Sequence, residues 1–233
     1  MQLSKRLLAC CQFVNQGDRV ADIGCDHGYL SIHLLKNQIA SSIIASDINE
    51  GPLKSAIANA DKYGVSENIR FYLSDGARSI PREFDCMICA GMGADTMISI
   101  LEAAPWLKNA GYRMILQCQS KTPMLRQYLS DKGWAIPRET VVRDGKFLYT
   151  VMEAVWHPDA PRLTVGQTHF TSPLLLQQDE DTAEYYQRLL FSLRRAINGR
   201  GESADPIMIA ALRELEPLEQ EFTWLKEATT WQP

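Results

Sequence analysis

Apolar and polar positions along the first two-thirds of the chain follow two alternating rhythms. Short apolar runs near 19–23, 42–47, 69–74, 84–89 and 112–117 read as strands. Between them, 28–37, 52–63, 95–104 and 122–132 repeat apolar residues at three- and four-residue spacing, the mark of helices packed on one face. That alternation predicts βαβ units and a mostly parallel sheet, an α/β fold. Two further strands, 134–142 and 147–155, flank Arg143-Asp144-Gly145-Lys146, whose Asp-Gly is a strong hairpin signal. The sheet is therefore expected to end in an antiparallel pair.

The last seventy residues change rhythm. Tyr186, Leu190, Leu193 and Ile197 recur at spacings of four, three and four, and Met208, Ala211, Leu215, Leu218, Phe222 and Leu225 at three and four alternately. Such seams belong to helices that pack along their length. Asn198-Gly199-Arg200-Gly201 interrupts them, and Asp205-Pro206 supplies a cap followed by a first-turn proline. The expectation is a coiled-coil-like, antiparallel helical hairpin, kinked at Pro217 because proline removes a backbone donor. Residues 1–160 then carry the sheet and 161–233 form a C-terminal arm. The arm could grip a large substrate or make a homodimer, and the pattern does not choose between them.

Chemistry concentrates where the first apolar run ends, in Val20-Ala-Asp-Ile-Gly-Cys-Asp-His-Gly-Tyr-Leu30. The strand stops at Asp22-Ile23-Gly24, turns, and enters a helix near His27. Glycines at 24 and 28 admit a ligand where a β-carbon would collide. A pyrophosphate cradle asks for G-x-G-x-x-G, but Asp26 and Tyr29 occupy its second and third glycine positions. A carboxylate would repel a pyrophosphate. It suits a cofactor with a cationic end, and S-adenosylmethionine carries both an ammonium and a sulfonium. Asp47 closes the second strand 23 residues after Gly24, where nucleotide-binding α/β folds place an acceptor for ribose hydroxyls. Asp75-Gly76 closes the third, where a carboxylate can accept from an adenine amine. One aspartate before a turn is ordinary. Three at the ends of successive strands define one ligand edge.

Composition narrows the function classes. The chain has 233 residues and a formal net charge of −4, which argues against a general nucleic-acid-coating protein. Residues 1–161 balance at 17 basic and 17 acidic side chains, and 162–233 carry 7 and 11. Any nucleic acid must bind through a local patch. No apolar run approaches the roughly 20 residues of a membrane span. The stretch before Cys10 that imitates a lipoprotein signal, Leu7-Leu8-Ala9, is three residues long, so an amphipathic first helix and a cytoplasmic location are expected. The six cysteines show no disulfide framework. Cys86 and Cys89 have metal spacing but lie in a strand, where they diverge, so no metal is expected.

Taken together, these segments resemble the bacterial family of tRNA adenine methyltransferases that act on ring nitrogen 1 of the adenine at tRNA position twenty-two. The resemblance rests on Leu3-Ser4-Lys5-Arg6-Leu7, the turn from Ala21 to Leu30, Gly51-Pro52, Asp75-Gly76, Ala90-Gly91-Met92-Gly93, Ile115-Leu116-Gln117 and Asp144-Gly145-Lys146. It implies a class I methyltransferase (Rossmann-like) sheet, S-adenosylmethionine as cofactor and tRNA as partner. The chain departs from the family at Cys25, where serine is usual, and at Ala94, where glycine is usual. It also has Cys118-Gln119 in place of Pro-Asn, at a position that would face the methyl-acceptor pocket.

The candidate cofactor residues are Asp22, Gly24, Cys25, Gly28, Tyr29, Leu30, Asp47, Ile48, Asp75, Gly76, Ala90, Gly91 and Met92. Asp26 and His27 are the catalytic candidates, although Asp26 also reads as a helix cap. Lys5, Arg6, Lys121, Arg126, Arg188, Arg194 and Arg195 are the candidate RNA contacts. Two other function classes stay open: a methyltransferase of the same fold acting on a small molecule or protein, and a non-catalytic nucleotide-binding module. Deleting the arm separates the first from a tRNA enzyme, and the intact acids at 22, 47 and 75 weigh against the second.

Overall fold

The computed structural model describes residues 3–226, so the last seven residues assigned to the arm, 227–233, lie outside the described part. Seven strands form one sheet in the order β3-β2-β1-β4-β5-β7-β6. β1 (Asp18–Ile23), β2 (Ala40–Asp47), β3 (Ile69–Leu73), β4 (Cys86–Met92) and β5 (Arg113–Cys118) run parallel. β6 (Trp134–Asp144) and β7 (Phe147–Trp156) close the sheet as an antiparallel hairpin. This is the Rossmann-like arrangement expected of the class I methyltransferase fold.

The parallel strands are apolar throughout because helices bury both of their faces. α1 (Lys5–Cys11), α2 (Tyr29–Lys36) and α3 (Glu50–Lys62) pack on one face against Val20, Ile43, Ile88 and Ile115. α4 (Ala94–Glu102) and α5 (Thr122–Asp131) pack on the other against Ile23, Met87 and Leu116. Cys86 lies in the first of these layers and Cys89 in the second, and all six cysteines are free. β4 runs past its expected end because a bulge between Ala90 and Met92 carries it outward.

The arm differs from its sequence pattern in three ways. A short helix, α6 (Val165–Phe170), precedes the seam and is closed by a capping box between Thr164 and Gln167. α7 (Glu180–Asn198) and α8 (Pro206–Leu215) form the expected pair, but Pro217 breaks the second helix instead of kinking it. One turn, α9 (Leu218–Glu221), restarts with Pro217 as its cap residue. The seam also reaches the sheet: Tyr186, Leu190, Ala211 and Leu215 share an apolar cluster with Val141 of β6. Beside it, Arg143 of β6 donates to Asp181 and Glu184 of α7, at 2.7 Å each.

Candidate active site

β1 ends at Ile23, and Gly24 turns the chain at φ +72, a region that side chains resist. A Cβ on Gly24 would stand 2.3 Å from the Met92 Cε, so the bare backbone also leaves room for the end of β4. Gly28, at φ +73, caps α2. Its role differs from the one expected. A Cβ there would meet the Ala56 Cβ at 3.0 Å, so this glycine seats α2 on α3 and does not line the cavity.

The cavity itself, about 740 Å³, opens at the carboxyl edge between β1 and β4. There the strand order reverses direction, the place where open α/β sheets bind ligands. Strand order sets its lining out as a series. Asp75-Gly76 follows β3, Asp47-Ile48 ends β2, Asp22 and the turn from Gly24 to His27 belong to β1, and Ala90-Gly91-Met92 ends β4. Tyr29 and Leu30 of α2 complete the set, so every cofactor candidate except Gly28 lines this cavity. Asp95, Thr96 and Ser99 of α4 and Asn49 line it too. The sequence offered no signal for them, because they reach the cavity from a helix across the cleft and from the residue opening α3.

The charge in the cavity is negative. Asp22 is only 3% exposed and accepts from the Ser31 hydroxyl at 2.6 Å. Burial lifts its pKa from 3.8 to about 6 against the pull of that bond, with a smaller push from Asp47. The Asp47 carboxylate accepts the Asp26 amide at 3.1 Å on one oxygen and the Asn49 amide at 2.9 Å on the other. An ionised carboxylate has about four acceptor sites, so each oxygen can still take a ligand hydroxyl. Asp75 pairs with Arg78 at 3.3 Å. A lining of this charge suits a cationic ligand.

Asp26 and His27 stand at the mouth, with 3.6 Å between His27 Nε2 and Asp26 Oδ1. The helix-cap reading of Asp26 is not realised: α2 is capped at Gly28, with no side-chain cap bond. Asp26 is instead held at φ +50, with its side chain 70% exposed.

On the β4–β5 side the cavity meets α1. Arg6 lines it and donates to Gln117 Oε1 at 2.9 Å, and the Gly91 amide donates to the same oxygen at 3.0 Å. Gln117 is fully buried and belongs to the site's support, a role its place in a strand did not signal. The departure at Cys118-Gln119 proves smaller than expected. Cys118 points into the core and its thiol donates to the Ser120 carbonyl at 3.0 Å, so only Gln119 stays on the exposed side.

Of the candidate RNA contacts, Arg6 alone lines the cavity. Lys5 faces a neighbouring groove between α1 and β6. Lys121 pairs with Asp95 at 2.8 Å on the rim. Arg126 is withdrawn from the set: it is fully buried, pairs with Glu139 and donates to the Thr168 and His169 carbonyls. Arg188, Arg194 and Arg195 lie on α7, the first paired with Glu184 and the second with Glu216. Among the described residues no cluster of three or more His, Cys, Asp or Glu could hold a metal ion. No helix among them is long and apolar enough to cross a membrane.

A family model described as a methyltransferase domain matches residues 3–152. The chain is 33% identical over 66% of its length to the tRNA (adenine(22)-N(1))-methyltransferase of Bacillus subtilis, and spans 65% of that curated relative. The crystal structure of the Bacillus subtilis m1A22 tRNA methyltransferase superposes with a TM-score of 0.74 at 28% identity, over 97% of this chain and 98% of that one. A Streptococcus pneumoniae protein solved with S-adenosyl-L-methionine gives 0.77 at 28% identity, over 92% and 99%.

Proposed function

The chain belongs to the methyltransferase-domain family, and from that premise we propose that it is an S-adenosylmethionine-dependent enzyme that methylates ring nitrogen 1 of an adenine in tRNA. The observation that carries the reading is the series of acids that strand order lays along one cavity, ending at Gly91, Gln117 and Arg6. S-adenosylmethionine, when bound, supplies a methyl group on a cationic sulfur. Asp47 would take its ribose hydroxyls and Asp75 its adenine amine. Asp22 and the turn at Gly24 and Cys25 would face its ammonium, while Ile48 and Met92 would give apolar contact. In this reading residues 1–160 hold cofactor and base, and the arm over 161–233 meets the RNA.

Ring nitrogen 1 of adenine has an in-plane lone pair, so no residue has to create the nucleophile. The protein's work is placement and the electrostatics of a ring that becomes cationic. Asp26 and His27, which line the cavity and are exposed, would orient the base or accept its amine proton. That nitrogen lies on the Watson–Crick edge, so the adenine must leave its pair to reach the pocket. Ala90-Gly91-Met92-Gly93 also lacks the Asn-Pro-Pro-aromatic run common in enzymes that methylate exocyclic amines. The choice of tRNA rests on the relatives named above and on the motifs of this chain that resemble the family's.

The test is mass spectrometry of nucleosides from tRNA incubated with the protein and S-adenosylmethionine. 1-methyladenosine is the expected product, confined to one position. A different methylated base as the main product would overturn the assignment.

A further inference from the structure

The β6–β7 hairpin has a place in the site that cofactor binding does not use. β7 is antiparallel to β5, so its start lies at the carboxyl edge, where the cavity opens. The last pair with β5 is Cys118 with Thr150. Phe147, Leu148 and Tyr149 therefore project beyond the edge of the neighbouring strand. Alternate strand residues share a face, and Val151 packs in the layer that contains α1. Phe147 and Tyr149 thus present to the α1 side, where Arg6 enters the cavity, while Leu148 packs under the arm.

The tip carries an exposed aromatic residue and a cation. Phe147 is 53% exposed, and its ring centroid lies 6.1 Å from that of Tyr149, inclined at 46°. The Lys146 ammonium stands 5.3 Å from the Phe147 centroid. Asp144, the residue paired with Phe147 across the turn, lies 3.8 Å from the Arg6 guanidinium and takes part of its charge. Contacts run unbroken from the Gly91 amide through Gln117, Arg6 and Asp144 to the aromatic pair.

We propose that Phe147 and Tyr149 form a stacking platform for an unpaired RNA nucleotide flanking the methylated adenine. The inference rests on the RNA reading above and adds the direction from which the substrate arrives. Strand order runs from the acids of β3 and β2, through β1 and β4, to β5 and then β7, so the platform lies on the side of the cavity where Arg6 enters and away from Asp47 and Asp75. Aromatic faces accept any base, and a nearby ammonium meets the backbone phosphate. A base pulled from its pair leaves neighbours with exposed faces, and an aromatic surface joined to the cavity through Asp144 and Arg6 covers one of them.

The test compares Phe147→Leu, which keeps apolar bulk without a π face, with Phe147→Trp, which keeps the face. RNA affinity is read by fluorescence anisotropy with a tRNA transcript, methyl transfer by steady-state kinetics, and cofactor affinity by calorimetry. Phe147→Leu should weaken RNA binding roughly five- to a hundredfold and raise KM for tRNA with little change in kcat. Phe147→Trp should bind as wild type does, and both should hold the cofactor and melt as wild type does. Equal RNA affinity for wild type and Phe147→Leu overturns the platform, as does equal weakening by both variants. A wild type that binds tRNA through Phe147 but leaves no methylated adenine overturns the proposed activity and keeps the platform. Absence of tRNA binding by the wild type overturns both.

Discussion

Asp22 sits almost wholly out of water at the end of β1, held by one hydroxyl, with its pKa raised from 3.8 to about 6. A carboxyl raised in this way binds more protons in the folded state than in the unfolded state between those two values. Its contribution to stability is full below 3.8 and is lost as pH rises through about 6. Without ligand, the protein should lose at most roughly 3 kcal/mol from this group across that window. Asp22→Asn should flatten that stretch of the stability curve, as read by denaturant unfolding. A cationic ligand favours the ionised carboxylate, so cofactor affinity should fall below about pH 6 in wild type and stay level in Asp22→Asn. Affinity that is flat in wild type from pH 5 to 8 would take Asp22 out of the ligand's charge partners. Asp26 makes the complementary case. Its backbone lies at φ +50, a region that asparagine tolerates as readily as aspartate, so Asp26→Asn should leave cofactor affinity and melting temperature unchanged. A positioned proton acceptor is worth about a hundredfold or more, so turnover should fall that far. A loss within about threefold would make Asp26 a turn residue only. The acids at 22, 47 and 75 were legible because each closes an apolar run. The fully buried Gln117 was not, since a glutamine in a strand signals nothing about what it supports.

Three elements meet at the Arg126–Glu139 pair. Arg126 stands on α5, Glu139 on β6, and the two carbonyls that Arg126 also binds belong to α6. Arg126→Ala should cost about 3–5 kcal/mol in chemical denaturation, because it leaves Glu139 charged and buried with no partner. Arg126→Met combined with Glu139→Leu should recover much of that loss, since apolar residues of similar volume often replace such pairs at little cost. A single variant within about 1 kcal/mol of wild type would mean that water reaches the site. Most strands and helices of the sheet fall within two residues of the pattern read from sequence, because their two-sided apolar runs are set by burial. α6 went unread although Thr164-Val-Gly-Gln167 is a capping box, since six residues hold too little periodicity to register. The burial of Arg126 was illegible for another reason. An arginine on a helix reads as solvated until a carboxylate from a strand 13 residues later is known to face it.

Across the whole molecule, charge is uneven in a way that bears on RNA. The sheet region carries no net charge and the arm is acidic, so the protein's overall field cannot draw in a polyanion and binding must depend on local cations. On α7, Arg188 and Arg194 already face carboxylates. Arg195 has no ion pair among the described residues, and with Arg200 and Phe191 it lines a shallow depression at the end of α7. If the arm grips the RNA, these two arginines carry most of the screening-sensitive contact. Each phosphate contact releases condensed counterions, so each one lost should flatten the slope of log affinity against log salt by roughly 0.7 to 0.9. The double variant Arg195→Ala with Arg200→Ala should therefore weaken tRNA binding most at low salt, and its curve should converge on that of wild type as salt rises. Arg194→Ala should change the slope less, because Glu216 already offsets its charge. Cofactor affinity, set in the cavity between β1 and β4, should not move. An unchanged slope in the double variant would take the end of α7 out of the RNA path. The arm's work would then be to cover Val141 and the edge of β6, where Arg143 fastens α7 to the same hairpin that carries Phe147.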